Sequence, residues 1–373
     1  MDNICYHPWS ELNVNAQGFV TPCCKYDIIL SNDTVFTYEK AEWLATLKEQ
    51  FLQGEKPAGC NRCWTDEAAG VESKRQLDWK MVYDYQVPAL DKYSSLMFSF
   101  GNTCNLACRT CDSQSSSAWI KEEEKLKSTF PTIQICKHER FYQDQNFLDK
   151  IKLLSKDAKH IYFTGGETFL SGQPQHLSYL KYLIDQGDSS NVTLHYVTNA
   201  TVMPSNEFWD MWSKFKTIDL QFSIDGVDQH FEYTRWPGKW TEVLTNIAKY
   251  KTRKLANMTF TASHVVSIFT VYYLPEFLKW SLYNGFKYPY LSLCTSPVHY
   301  DIKVLPTAVK AKVKERLQHL KLDNIVNHMY NEHIDVFDQS LAWIKALDLQ
   351  RNQSFENTYP EFYQLLKDAE CQI

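Results

Sequence analysis

From residue 95 onward the chain switches back and forth between two hydrophobic rhythms. Short apolar runs of strand length alternate with longer stretches whose apolar residues recur every three to four positions, the period of one helix face. The short runs predict strands near Leu96–Phe100, His160–Thr164, Val192–Thr198, Ile218–Ile224, Met258–Val266 and Tyr290–Cys294. The longer ones predict helices over Ser116–Leu126, Asn146–Leu154, Pro174–Gln186, Ser205–Phe215, Lys239–Tyr250 and Pro275–Tyr283. Asn284-Gly285 supplies a C-terminal stop for the last of these. Strand–helix alternation implies parallel pairing through right-handed crossovers. Six such units fall short of the eight of a closed barrel. The expected fold is therefore α/β, a partial (β/α)6 TIM-like barrel over 95–300, with a helical C-terminal extension over 301–373.

Residues 1–84 follow another pattern and read as a separate small domain, with 85–94 as linker. The extended runs Glu11–Asn15 and Gly18–Cys23 flank turn residues and predict a β-hairpin. Trp43, Leu44, Leu47 and Phe51 lay one apolar face on a helix over Thr37–Leu52, which Gly54 and Pro57 end. A second helix is expected from Trp64 towards Tyr83.

Composition narrows the function. The 373 residues carry a net charge of −5, without the clustered Lys and Arg that draw nucleic acid, so none is expected as a partner. The short basic runs Lys249–Lys254 and Lys310–Arg316 read as solvated helix faces. The most apolar stretch, Val265–Leu274, is too short to span a bilayer, and the first residues lack the basic and apolar regions of a secretory signal. A cytoplasmic location and no membrane partner are the expectation. Eleven cysteines in such a compartment point to metal or catalysis rather than disulfides.

Three of them, Cys104, Cys108 and Cys111, fall within eight residues directly after the first core strand. Three thiolates on one loop can hold three corners of an iron–sulfur cubane and leave one iron open to a small ligand. A zinc knuckle is the other reading of the same residues. The C-x3-C-x2-C spacing resembles the signature of the radical S-adenosylmethionine (SAM) superfamily. That resemblance implies SAM chelated at the open iron, reductive cleavage to a 5′-deoxyadenosyl radical, and removal of a hydrogen atom from a substrate. Thr110 stands where many members of the family place an aromatic residue.

Further motifs fall where a parallel barrel gathers its reacting groups, at the C-terminal strand ends. Gly165-Gly166-Glu167 resembles the family's GGE motif, whose backbone holds the SAM amino group. Thr198-Asn199-Ala200 is similar to its Thr-Asn-Gly. Ser223-Ile-Asp225-Gly226 resembles its Ser-x-Asp-Gly, and Arg235 matches a recurrent arginine after that strand. Gly165, Gly166, Glu167, Asn199, Ser223, Asp225 and Arg235 are thereby implied as SAM-binding residues. His264 reads as a structural histidine that could face SAM, and Cys294 as a buried cysteine that could donate a hydrogen atom. No catalytic base stands out.

Cys5, Cys23, Cys60 and Cys63 form a four-thiolate set that suits zinc or an iron–sulfur cluster. The order Cys5, Gly18-x4-Cys23, Cys60-x2-Cys63 resembles the twitch domain, a short relative of the SPASM domain, which implies an auxiliary [4Fe–4S] cluster. Cys24 competes with Cys23 as the ligand. Glu67, Gly70, Ser73 and Arg75 continue the pattern. In familiar members this domain follows the barrel, whereas here it precedes it. Two [4Fe–4S] clusters, SAM, a flavodoxin or ferredoxin as reducing partner, and a peptide or small polyol or amino-sugar substrate are therefore what the resemblance implies. The alternatives are a ferredoxin-like or zinc-binding protein without SAM chemistry and, third, an RNA methyl transferase, which the acidic balance disfavours.

Overall fold

A computed structural model describes residues 3–27, 32–68, 70–83, 86–88, 92–137, 140–170 and 172–369. Its strands are β1 (Glu11–Val14), β2 (Val20–Thr21), β3 (Ser95–Ser99), β4 (His160–Thr164), β5 (Thr193–Thr198), β6 (Thr217–Ser223), β7 (Met258–Val266) and β8 (Tyr290–Leu293). They form one sheet in the order β2-β1-β3-β4-β5-β6-β7-β8. Every pairing is parallel except β1 with β2.

The helices before the barrel are α1 (His7–Ser10), α2 (Glu42–Leu52), α3 (Asn61–Ala68) and α4 (Lys74–Met81). Between the barrel strands lie α5 (Trp119–Leu126), α6 (Gln145–Leu154), α7 (Gln173–Asp185), α8 (Asn206–Trp212), α9 (Gln229–Thr234), α10 (Trp240–Thr252) and α11 (Leu274–Tyr283). The expected helical extension is α12 (Thr307–Leu317), α13 (Asp323–Asn331), α14 (Phe337–Arg351), α15 (Phe355–Thr358) and α16 (Pro360–Asp368). None of these helices is long and apolar enough to cross a membrane.

Register explains the two faces of the sheet. Leu12, Leu96, Ile161, Leu194, Ile218 and Met258 are partners across six neighbouring strands, and all are buried. The next row, Asn13, Met97, Tyr162, His195, Asp219 and Thr259, points to the opposite face. There most side chains are polar and only partly covered, so this inner face is not filled as the interior of a closed barrel is.

The sheet corrects the expected outline at its N-terminal end. The six expected strands, β3–β8, are extended to eight by the expected hairpin, which joins the sheet: β1 pairs in parallel with β3 from Glu11↔Ser95 to Val14↔Phe98. Leu12 and Val14 bury completely against the barrel core, which draws the hairpin into it. The single helix expected from Trp64 to Tyr83 is two, α3 and α4. Gly70 takes φ +72° between them, and Ser73 restarts the chain with a capping box to Gln76. The basic runs are not uniformly solvated either. Lys310 is buried, and its Nζ donates to the Lys303 carbonyl at 2.7 Å. Of the expected linker, residues 85 and 89–91 lie outside the described residues, as does Cys371.

Candidate SAM and iron–sulfur site

Strand β3 delivers the chain into the cysteine loop at the C-terminal edge of the sheet. Asn102 Nδ2 donates to the Ser113 carbonyl at 2.8 Å and Ser116 Oγ to the Leu106 carbonyl at 2.6 Å, which ties the two ends of the loop together. The Ala107 and Arg109 amides donate to the Trp236 and Thr234 carbonyls, each at 2.7 Å. Trp119 Nε1 donates to the Cys108 carbonyl at 2.9 Å. The loop backbone is thus held by its surroundings. Cys136, which stands alone in the sequence, also belongs here: its amide donates to Ser113 Oγ at 2.8 Å.

The three thiols are partly buried. Burial, then the neighbouring Cys108, pushes the Cys104 thiol up to about 12, and burial also raises Cys108 and Cys111. Such thiols ionise when a cationic centre binds them. Donors are already in place. Arg235 Nη1 lies 3.8 Å from Cys108 Sγ, Asn199 Nδ2 lies 3.9 Å from Cys104 Sγ, and the Leu106 amide lies 3.4 Å from Cys104 Sγ.

The glycine pair forms the floor. Gly165 and Gly166 take φ +78° and +48°. A Cβ on Gly165 would meet Ser99 Oγ at 1.4 Å, and one on Gly166 would meet the Thr103 carbonyl at 2.2 Å. The cysteine loop and the glycine loop therefore touch backbone to backbone, a packing that only glycine permits. Glu167 is engaged by its neighbours. Its buried carboxylate accepts from Thr198 Oγ1 at 2.8 Å and the Asn199 amide at 2.7 Å, while its own amide donates to the Thr103 carbonyl at 2.8 Å. Burial raises its pKa against those bonds. Glu167 brackets three loops together.

Asn199 also bonds Asn105 Oδ1 at 3.0 Å. Ala200 has φ +60°, the region that favours glycine, which accounts for glycine at the matching place of the similar motif. Ser223 is buried at the end of β6. Asp225 is buried too, with Oδ1 accepting from the Val265 amide at 2.7 Å and Oδ2 2.8 Å from Arg235 Nη2. Arg235 Nε is buried and has no partner among the described residues. His264 is buried behind this edge. It packs on Phe277 at 4.1 Å and bonds the Ile224 carbonyl at 2.7 Å, a structural position. Cys294 is buried, 3.7 Å from the Ser296 carbonyl.

At the other end, β1 begins and β2 ends, so Cys5 and Cys23 arrive side by side. Cys5 is raised by burial and by the Cys60 and Cys63 charges, and Cys23 by burial and by charges that include Cys5. Burial and Cys63 push Cys60 to about 12. Charge thus links Cys5 with Cys23, Cys60 and Cys63, and Cys24, at the surface beside Cys23, acts on Cys23 as well. Glu67, Ser73 and Arg75 support this set. Arg75 Nε and Nη2 donate to the two Glu67 oxygens at 2.9 and 2.6 Å, Ser73 Oγ joins at 2.6 Å, and Arg75 Nη1 holds the Ile4 carbonyl beside Cys5 at 3.0 Å. A cavity of about 860 Å³ opens next to Cys5, Trp79 and Tyr83.

Spacing separates a cluster from a single ion. Tetrahedral zinc places thiolate sulfurs ~3.8 Å apart, from Zn–S bonds of ~2.3 Å. Among the described residues only His7, Glu11 and Asp78 bring three ligand-type atoms within 4.8 Å of one another. There Lys74 Nζ already bridges Glu11, at 3.1 Å, and Asp78. Among the described residues neither cysteine set brings three ligand atoms that close.

Residues 98–280 match the family model "Radical SAM superfamily". No curated protein matches the sequence. Among solved structures, native anSMEcpe with bound AdoMet is similar at 19% identity and TM-score 0.46, over 70% of this chain and 68% of that one. The same protein with AdoMet and the Cp18Cys peptide is similar at 17% identity and TM-score 0.44, over 65% of this chain and 63% of that one. Streptococcus suis SuiB bound to S-adenosylmethionine is similar at 10% identity and TM-score 0.36, over 86% and 68%. The first-named family implies SAM and an iron–sulfur cluster, and the donor set around Cys104, Cys108 and Cys111 fits both. The match of residues 98–280 to this family's model supports an enzyme.

Proposed function

We propose that this enzyme reductively cleaves SAM and removes a hydrogen atom from a peptide side chain or a small polyol or amino-sugar, with an auxiliary [4Fe–4S] cluster taking part in electron transfer. The observation that carries the reading is the three-thiol loop packed on the Gly165-Gly166 backbone, with the Arg235 guanidinium beside it, Nη1 3.8 Å from Cys108 Sγ. When bound, the cluster and SAM together supply a carbon-centred oxidant for a substrate C–H bond.

The chain's own residues do the rest. Cys104, Cys108 and Cys111 would hold the first cluster, and Cys5, Cys23, Cys60 and Cys63 the second. Arg235, fixed by Asp225, presents a cation where the SAM carboxylate is expected. The Gly165-Gly166 backbone gives close approach to the SAM amino group. Asn199 and Ser223 line the same edge, while Glu167 positions the loops from behind. A flavodoxin- or ferredoxin-type protein would deliver the electron. We propose the same division along the chain: 1–84 for the second cluster, 95–300 for SAM chemistry and 301–373 as support.

Anaerobic reconstitution tests this. About eight irons per chain are expected for two cubanes, with 5′-deoxyadenosine formed on adding dithionite and SAM. Cys104→Ala removes that product, whereas Cys60→Ala lowers iron and retains part of it. Product formation that survives in Cys104→Ala overturns the mechanism. Zinc in place of iron at the N-terminal set overturns the second cluster.

A further inference from the structure

The inner face of the sheet carries a connected row of side chains that this chemistry leaves unused. Tyr162, His195, Asp219 and Thr259 are register partners on β4 to β7, and His160 lies two residues before Tyr162 on the same face. His195 Nδ1 is 3.3 Å from Asp219 Oδ2, and His195 Nε2 is 3.2 Å from His160 Nδ1. Thr259 Oγ1 donates to Asp219 Oδ1 at 3.0 Å, with Gln221 Nε2 3.5 Å from Oδ2. Tyr162 stacks on His195 at 4.1 Å and 8°.

Proton positions follow from chemistry. An ionised carboxylate only accepts, so His195 carries its proton on Nδ1. Its Nε2 is then an acceptor, and His160 must donate from Nδ1. The lone pair of His160 is left on Nε2. Burial opposes ionisation of Asp219, but the His195, Thr259 and Gln221 contacts hold it below the usual carboxylate value. Burial, then the charges of His195, Lys216 and Lys159, push His160 down to about 4, so it is neutral at pH 7. Lys74, Glu11 and Asp78 face Tyr162 from the N-terminal segment. His160 also lines a cavity of about 310 Å³ at the N-terminal ends of the strands, with Ser94, Lys92, Asp157 and Lys159.

We infer that His160, His195 and Asp219 form a proton row that carries a proton from this cavity to the inner face of the barrel. A hydronium ion in the cavity gives a proton to His160 Nε2 and is left as water, the His160 Nδ1 proton passes to His195 Nε2, and the His195 Nδ1 proton passes to Asp219 Oδ2. One proton moves and no electron does. Both rings end as Nε2–H tautomers, and Asp219 presents an O–H. Asp219 lies four residues before Ser223, roughly 13 Å along the strand at ~3.3 Å per residue, so the proton arrives deep on the inner face. Its use by a substrate rests on the function proposed above.

The test uses reconstituted enzyme labelled with 15N-histidine. Long-range proton–nitrogen spectra at pH 7 should show Nδ1–H tautomers for both His160 and His195. In Asp219→Asn an amide donor faces His195, so His195 should switch to Nε2–H and His160, one ring further on, should switch with it. In His160→Gln, His195 should keep its Nδ1 proton. An Nε2–H tautomer of His195 in the unaltered enzyme overturns the row. So does a His160 signal unmoved in Asp219→Asn, the result of a purely local bond, or a switch of His195 in His160→Gln. The same samples are assayed with SAM and dithionite, where 5′-deoxyadenosine from Asp219→Asn should stay within twofold. Its absence from the unaltered enzyme sinks the SAM chemistry while the tautomers still decide the row.

Discussion

Arg351 reaches from the end of α14 into the cysteine loop, where its Nη2 donates to the Ala107 carbonyl at 2.8 Å. The same guanidinium bonds Glu122 of α5 through Nε at 3.0 Å and lies between the rings of Trp119 and Trp236, at 4.8 and 5.0 Å. Arg109 runs the opposite way, out of the loop, to Asp348 on α14 and Gln353 just beyond it. Two arginines thus lock the C-terminal extension to the back of the segment that carries the thiols.

Arg351→Met should therefore destabilise the protein strongly. It leaves the buried Glu122 carboxylate without its cation, and breaking one side of a buried pair costs about 3–5 kcal/mol. Urea denaturation should show a lower midpoint at an unchanged slope. Combining it with Glu122→Gln should recover much of the loss, because the orphaned charge is gone. A double variant as unstable as the single one would place the cost in the lost bond to Ala107 instead.

The glycine floor makes a sharper demand. Gly165→Ala and Gly166→Ala should both lower iron retained after desalting and the thermal midpoint, since both positions have positive φ. They differ in what their methyl groups strike. Gly165→Ala meets the Ser99 side chain, so adding Ser99→Gly should restore part of the loss. Gly166→Ala meets the main chain of Thr103, which no side-chain change removes. Equal rescue of the two by Ser99→Gly would show that the clash at Thr103 is not what matters.

These contacts mark how far the sequence could be read. The β3–β8 strands were legible because their outward rows are mostly apolar, as in Leu96 and Phe98, Ile161 and Phe163, or Ile218, Leu220 and Phe222. The entry of β1 into that sheet was not, because Glu-Leu-Asn-Val is short and half polar, and its partner β3 lies more than 80 residues on. Helix α9, six residues long, gives no periodic signal. Glu167 was visible as part of a motif, but its engagement by Thr198 and Asn199 exists only once β4 and β5 lie side by side. Lys310 sits in a basic run, and only the fold shows that a carbonyl waits for its ammonium. The arginine clamp joins residues about 240 apart, beyond any local pattern.

Stability should fall in mild acid through a buried histidine. Burial pushes His176 down to about 3; its ring sits among Phe100, Phe163, Tyr196 and Phe208, with Nε2 3.1 Å from Tyr196 Oη. The folded value lies below the ordinary ~6.5 of the unfolded chain. Between the two, the unfolded state binds the extra proton, so stability rises with pH and its loss begins below ~6.5. From pH 6.5 to 5 this one group removes about 2 kcal/mol, at ~1.4 kcal/mol per unit. His176→Phe should flatten the dependence of the urea midpoint over that interval. An unchanged slope would mean that His176 is already charged in the fold.

Arg75 provides the test of how the N-terminal thiols are held. Its guanidinium is the link between Glu67 and the Ile4 carbonyl, and so between the α3–α4 turn and the segment that presents Cys5. It also lies over Trp64, 4.9 Å from the ring centre, next to Cys63 in the chain. Arg75→Leu keeps the apolar stem against Trp64 and removes both bonds, leaving Cys5 free to drift from Cys60 and Cys63. Iron should then fall from about eight towards about four per chain, because one of two cubanes is lost. Formation of 5′-deoxyadenosine should persist, since Cys104, Cys108 and Cys111 are anchored separately by Asn102, Ser116 and Arg351. Arg75→Lys should behave nearly like Arg75→Leu, because an ammonium cannot grip both carboxylate oxygens and the carbonyl with one planar fork. Full iron content in Arg75→Leu would show that the cysteines hold their arrangement without it.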